Sequence, residues 1–226
     1  MNVTTALFRL YRPIYSWFAA ILITVEVLVA GLVLLAGPMR FSLWLTLAGS
    51  AAKYWLLVVG IMLVVTQFRT FVANGVTRHE FLAGAALFAL TMTVGFAVVV
   101  VAGHAAESLA LGLTDNRDGN YPVFVGADVF REFGAVAPVS LAYLVSGALI
   151  AAGFHRFRPL VGVALIVPGA IPMAVAAVAL GLNEFGEETG RMPYLSGLLL
   201  TLAVVVLGAA ACHRVLRDVA IRRTTD

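Results

Sequence analysis

What most limits how this chain can fold is a series of apolar runs, each long enough to cross a bilayer. They lie at about residues 14–35, 50–68, 81–103, 136–154, 159–182 and 194–211. A hydrocarbon core is about 30 Å thick, which an α-helix covers in about 20 residues. No water reaches backbone N–H and C=O groups there, so such a run forms a helix, which satisfies them internally. Charged residues make up 12% of the chain and mean hydropathy is +0.99, against about 25% charged residues in a soluble domain. The expected fold is an all-α integral membrane protein with six transmembrane helices. Its 226 residues leave no room for a soluble domain, so residues 1–226 read as a single transmembrane domain.

Taken in order, residues 1–13 place Val3, Leu7, Leu10, Tyr11 and Ile14 at helical spacing, with Arg9 and Arg12 elsewhere on the wheel. That pattern predicts a short amphipathic segment lying in the membrane interface, with a frayed terminus as the alternative. The run that follows is longer than a signal-peptide core and lacks a small-residue cleavage site, so no cleavable signal is expected. Tyr15 and Trp17 suit an aromatic belt, and Gly37-Pro38 ends the first span. The start of the second is ambiguous, because residues 41–50 are also apolar. Residues 107–133 form the longest polar stretch, while Pro168 and Pro172 predict a kink in the fifth span. The loop at 183–193 is acidic, with Glu184, Glu187 and Glu188.

Six crossings put both termini on one side. That side would hold ten basic residues: Arg9, Arg12, Arg69, Arg78, Arg156, Arg158, Arg214, Arg217, Arg222 and Arg223. The other would hold Arg40, Arg117, Arg131, Arg191 and, near or within a span, Lys53. The excess of cationic residues beside the termini predicts that both are cytoplasmic, in a multi-pass protein of a bacterial-type cytoplasmic membrane.

Between the second and third spans, the segment 67–81 has a recognisable mechanical design. Asn74-Gly75 tolerates positive φ at both positions and can close a helix tightly. Thr77-x-x-Glu80 reads as a capping box, in which the threonine hydroxyl and the glutamate carboxylate each satisfy a backbone N–H of the other residue. The segment therefore reads as a short helix from about Arg69, a turn at Asn74-Gly75 and a capped start to the third span. An ordinary basic loop is the alternative.

Several chemistries find no support. Lys53, in the run GSAAKYW, is the one lysine and does not form a Walker A loop, so no ATPase site is expected in this chain. One cysteine, Cys212, excludes an internal disulfide. His79-Glu80 lacks the second histidine of a zinc protease helix. The run from Asp115 to Asn120 lacks the alternating acidic ligands and closing glutamate of a calcium loop. Neither a catalytic site nor a metal site is expected. Small residues abound in the spans, as at Gly84, Gly95, Ser146, Gly147, Gly162, Gly169, Gly197 and Gly208, and favour close helix packing in lipid.

Two ionisable residues fall within apolar spans. Glu26 is about 18 Å along the first span from Ile14, and Lys53 about 22 Å up the second from Phe68, at 1.5 Å per residue. Their similar depth predicts an intramembrane pair joining the two spans. The alternative has Lys53 reaching for the outer headgroups and Glu26 protonated or facing a wet cavity.

The stretch Asn74-Gly75-Val76-Thr77-Arg78-His79-Glu80-Phe81 resembles the N-G-V-[ST]-R-x-x-F pattern of small bacterial membrane subunits of ABC exporters, the ABC-type-two permease class. The likeness extends to the amphipathic N-terminal segment, six spans and the short cytoplasmic link between spans 2 and 3. It implies that Asn74, Gly75, Thr77, Arg78, His79, Glu80 and Phe81 couple the chain to a separate ATP-binding subunit, which would carry ATP and Mg; no cofactor is implied in this chain. A second permease subunit, identical or not, and membrane lipid are the other partners implied, with no nucleic acid. The sequence departs from larger members in lacking a sizeable external domain. An ion-gradient-driven secondary transporter and a non-transporting membrane scaffold or immunity protein are the rival readings.

Overall fold

The computed structural model describes residues 2–181 and 192–217. The acidic residues Glu184, Glu187 and Glu188, with Arg191, Arg222 and Arg223, lie outside the described residues. Among the described ones the architecture is helical, and the extended pairing is confined to a single bridge between Met39 and Arg117. Among the described residues, five helices are long and apolar enough to cross a membrane. The chain is a multi-pass membrane protein.

The first helix, α1 (Val3–Ala36), is continuous from Asn2, whose side chain accepts from the Thr4 N–H. The expected separate interfacial segment is instead the first three turns of this helix. Val3, Leu7 and Tyr11 recur every four residues and are buried, on the stripe where Phe88 packs against Phe8 and Tyr11. That packing outweighs the backbone donor that Pro13 removes. Past Tyr11 the helix is mostly outward-facing, with Trp17, Ile21, Leu28, Leu32 and Leu35 exposed. Lipid is the medium that suits such a face. Gly37, at φ +144°, ends α1.

The uncertain start of the second span falls at α2 (Leu43–Met62), with Ser42 as N-cap accepting from the Leu45 N–H. The rod continues through one π-helical turn (Leu63–Phe68) into α3 (Arg69–Ala73). After the turn comes α4 (Arg78–Leu113), which outruns the expected end at Gly103 by ten residues. Gly103 ended the apolar run, but its role is packing: a Cβ there would strike the Trp44 ring. Trp44 Nε1 donates to the Val100 carbonyl at 2.8 Å beside it.

α5 (Asp128–Arg156) is the central helix, touching α2 and α4 and the helices that follow. α2 and α5 approach closely because Gly60 faces the Leu144 carbonyl and Gly147 faces the Leu57 carbonyl, with no room for a Cβ at either glycine. Small residues thus set this contact, as the sequence predicts.

The kink expected at residues 159–182 is a double break, giving α6 (Pro159–Ala164), α7 (Ile166–Gly169) and α8 (Ile171–Leu180). A proline ring clashes with the carbonyl four residues earlier. Pro168 therefore acts on Ala164, where α6 stops, and Pro172 acts on Pro168, one residue before α7 stops. The Met173 N–H near the second break donates to Ser146 Oγ of α5 at 3.0 Å, so a neighbouring helix re-satisfies a backbone donor near the interruption. The last helix is α9 (Tyr194–Arg217). Gly197 of α9 lies against the Ala179 carbonyl, and Arg156 at the end of α5 donates to the carbonyls of Arg214 and Val215. The broken segment therefore runs antiparallel to α9 along most of its length.

One end of the bundle gathers Thr4, the 74–77 turn, Arg156 and Arg217, and is termed the basic end. The opposite end carries the 37–42 link and the 114–127 loop. Backbone bonds from Met39 N–H to Asn116 O and from Asp118 N–H to Met39 O join these two connections at 3.0 and 2.9 Å.

Candidate functional site

At the basic end the π-helical turn delivers α3 into a tight reversal. The N–H groups of Asn74, Gly75 and Val76 donate back to the carbonyls of Thr70, Val72 and Phe71, and Asn74 Nδ2 caps the Thr70 carbonyl at 2.7 Å. Gly75 takes φ +87°, a value that a side chain would strain. The capping box then forms as its spacing predicts. Glu80 N–H donates to Thr77 Oγ1 at 3.2 Å, while Glu80 Oε2 accepts from Thr77 N–H at 3.0 Å and from Thr77 Oγ1 at 2.8 Å. These bonds to the ionised form hold the Glu80 carboxyl, exposed at the mouth of α4, below the usual carboxylate range.

The seven residues singled out there separate into two groups. Asn74, Gly75, Thr77, His79 and Glu80 are exposed and form the tip. Phe81 is buried and packs at 5.5 Å between ring centroids against both Phe68 and Phe71. Arg78 Nη1 donates to the Arg217 carbonyl at 2.7 Å, and the His79 ring meets the His213 ring at 6.4 Å. The tip is thus anchored to the second, third and last long helices together. Beside it a hollow of about 1140 Å³ opens between the start of α1 and the reversal, lined by Thr4, Leu10, Gln67, Phe71, Asn74 and Glu80.

Glu26 and Lys53 do not form the expected pair. The Arg40–Asp118 and His104–Glu132 ion pairs involve neither residue. The depths match, since each residue lies about 15 Å from the end of its helix at 1.5 Å per residue. Direction around the helix decides otherwise. α1 meets α2 through Trp55, which stacks on Phe18 and edges Tyr15. Lys53 is two residues from Trp55, hence about 200° round the helix and facing away from α1. It lines a cavity against α5 instead. Glu26 is 9% exposed, and its Oε2 finds no hydrogen-bond partner among the described residues.

The opposite end holds a polar constellation that the sequence pattern hid. Glu107, on the last turns of α4, caps α2 from outside. Its carboxylate accepts from Ser42 Oγ, from the N–H groups of Leu43 and Trp44 at 2.9 and 3.3 Å, and from Tyr121 Oη at 3.1 Å. Burial and the Glu107 charge push the Tyr121 phenol well above its ordinary range. One turn earlier, His104 Nδ1 lies 2.6 Å from Glu132 Oε1 of α5, and both side chains are buried. The ring's Nε2 is 3.2 Å from the Pro122 carbonyl, which can only accept. Nε2 therefore carries a hydrogen, and a second proton lies between Nδ1 and Glu132. The loop is fastened again where Ser108 Oγ accepts from the Phe124 N–H. His104 and Glu107 share one face at i, i+3, a visible signal once α4 is known to run past Gly103.

Among the described residues no group of three His, Cys, Asp or Glu side chains is placed to hold a metal. Asp118 spends its oxygens on Asn120 and Arg40. Compared with known proteins, the chain matches no family model, and no curated protein or solved structure is significantly similar to it. The class that fold and composition define is an all-α multi-pass membrane protein.

Proposed function

We propose that this chain is the membrane-spanning permease subunit of an ABC exporter, moving a substrate outward with ATP hydrolysed on a separate subunit. In this reading the broken segment α6–α8 is the sixth crossing, both termini and the basic end face the cytoplasm, and two permease subunits meet two ATP-binding subunits. The observation that carries the reading is the construction of the 69–81 element. A short helix, a hydrogen-bonded reversal and a capped helix start expose a polar tip while Phe81 and Arg78 fasten its base to three long helices. A push on that tip acts on α2, α4 and α9 at once. The π-helical turn just above α3 is a place where helical geometry yields. The chain has no nucleotide motif of its own, so transport would need an outside source of free energy.

The test is to isolate the tagged chain from its native membrane and identify what accompanies it. An ATP-binding polypeptide carrying a Walker A motif should co-purify in stoichiometric amount, and Arg78→Ala should weaken that association while leaving membrane insertion intact. Transport into vesicles by the chain alone, driven by a proton or sodium gradient without nucleotide, would replace this reading with a secondary transporter. One observation favours that rival: the twice-broken α6–α8 segment, since interrupted helices line the substrate sites of many such transporters.

A further inference from the structure

Lys53 faces a partly open cavity of about 190 Å³ bordered by α2, α4, α5 and α8. Two hydroxyl side chains share it: Ser50, one turn from Lys53, and Ser140 of α5, which is buried. Apolar side chains, among them Leu45, Val100 and Val139, make up much of the remaining wall. Among the described residues neither the Lys53 ammonium nor the Ser140 hydroxyl has a hydrogen-bond or ionic partner, and Glu26 lies on the far side of α2. A cation this far into a bundle is costly without a counter-charge. The three groups together offer hydrogen-bond donors around one positive charge, which is the complement of an oxyanion.

Depth and size narrow the ligand. The cavity lining starts at Leu45, two residues into α2, and reaches Lys53, ten residues in, so it extends from about 3 to about 15 Å below the helix end at 1.5 Å per residue. In a hydrocarbon core about 30 Å thick, that is no deeper than about half way in from this end. The volume is below the roughly 300–1,000 Å³ of drug-sized pockets and suits a single charged head. We propose that Lys53, Ser50 and Ser140 bind the phosphate of an anionic amphiphile, with the ammonium as counter-charge and the hydroxyls donating to the remaining oxygens. The inference does not depend on ATP coupling, because it concerns the isolated chain.

The experiment uses the full chain purified in an uncharged detergent, with thermal unfolding followed against added ligand, since a ligand bound only to the folded state raises the midpoint saturably. Dioleoyl phosphatidylglycerol, dioleoyl phosphatidylcholine and inorganic phosphate are titrated separately. Phosphatidylglycerol should raise the midpoint saturably and phosphatidylcholine should not. Lys53→Met should weaken half-saturation by about tenfold or more, the worth of a charge-assisted hydrogen bond. Lys53→Arg should retain most of the affinity, and Arg40→Gln, on the surface link, should leave it unchanged. The Ser50→Ala, Ser140→Ala double variant reads the same site with the lysine intact, should Lys53→Met fold poorly, and should also weaken binding. A Lys53-dependent effect of inorganic phosphate alone would assign the site to a free oxyanion rather than a lipid, sinking the amphiphile reading. Equal half-saturation in wild type and all Lys53 and serine variants, or no saturable effect of phosphatidylglycerol, would overturn the proposal.

Discussion

Thr77 and Glu80 make each other's bonds at the mouth of α4, and the consequence of cutting one is specific. Thr77→Ala removes an N-cap acceptor, a loss typically of about 1 kcal/mol. Hydrogen exchange at the Glu80 amide, which bonds the Thr77 hydroxyl, should accelerate while exchange in the middle of α4 stays slow; unchanged exchange at that amide would mean that the box contributes nothing. His104 and Glu132 form the deeper residue-scale feature. Removing one member of a buried pair typically costs about 3–5 kcal/mol because the other is left uncompensated. His104→Leu should therefore lower the unfolding midpoint sharply, and His104→Leu with Glu132→Leu should recover part of the loss. Strictly additive losses would show that the two side chains do not stabilise one another. The capping box was legible because its residues are three apart and its partners local. The His104–Glu132 pair was not, because its members are 28 positions apart and meet only after α4 and α5 pack.

At the scale of elements, the sequence marked where apolar runs lie better than where helices begin and end. α4 continues through polar residues because Glu107 finds donors on α2, and a composition window has no access to that partner. The prolines of the fifth run announced a kink, but its form depends on α5. Ser146 Oγ receives the Met173 N–H near the second break, so Ser146→Ala would leave a half-buried donor unmatched, at a typical cost of up to about 1–3 kcal/mol. The expected outcome is a lower unfolding midpoint in detergent, with Ser146→Thr closer to wild type. An unshifted midpoint for Ser146→Ala would show that the break satisfies its own backbone. The Glu26–Lys53 expectation failed on direction: counting residues gives depth along a helix, whereas Trp55 against Phe18 and Tyr15 decides which way α2 is turned.

For the whole molecule, the layout separates two ends with different tasks. At one, Glu107, His104, Ser108 and the Met39 backbone sew the 114–127 loop and the 37–42 link to the helix ends, which makes that end firm. At the other, an exposed tip at residues 74–80 stands on buried aromatic residues and is tied by Arg78 to the end of α9. The proposed permease works if force applied at this tip reaches the bundle. The most direct measurement places a photoreactive benzoylphenylalanine at His79, which is exposed, and irradiates native membranes. A covalent product joining the chain to an ATP-binding subunit should form from position 79 and fade when Arg78→Ala is added. The same probe at Leu113, exposed at the opposite end, should give no such product. Equal cross-linking from both positions, or none from position 79 in membranes that transport actively, would contradict the assignment of this element to ATPase coupling.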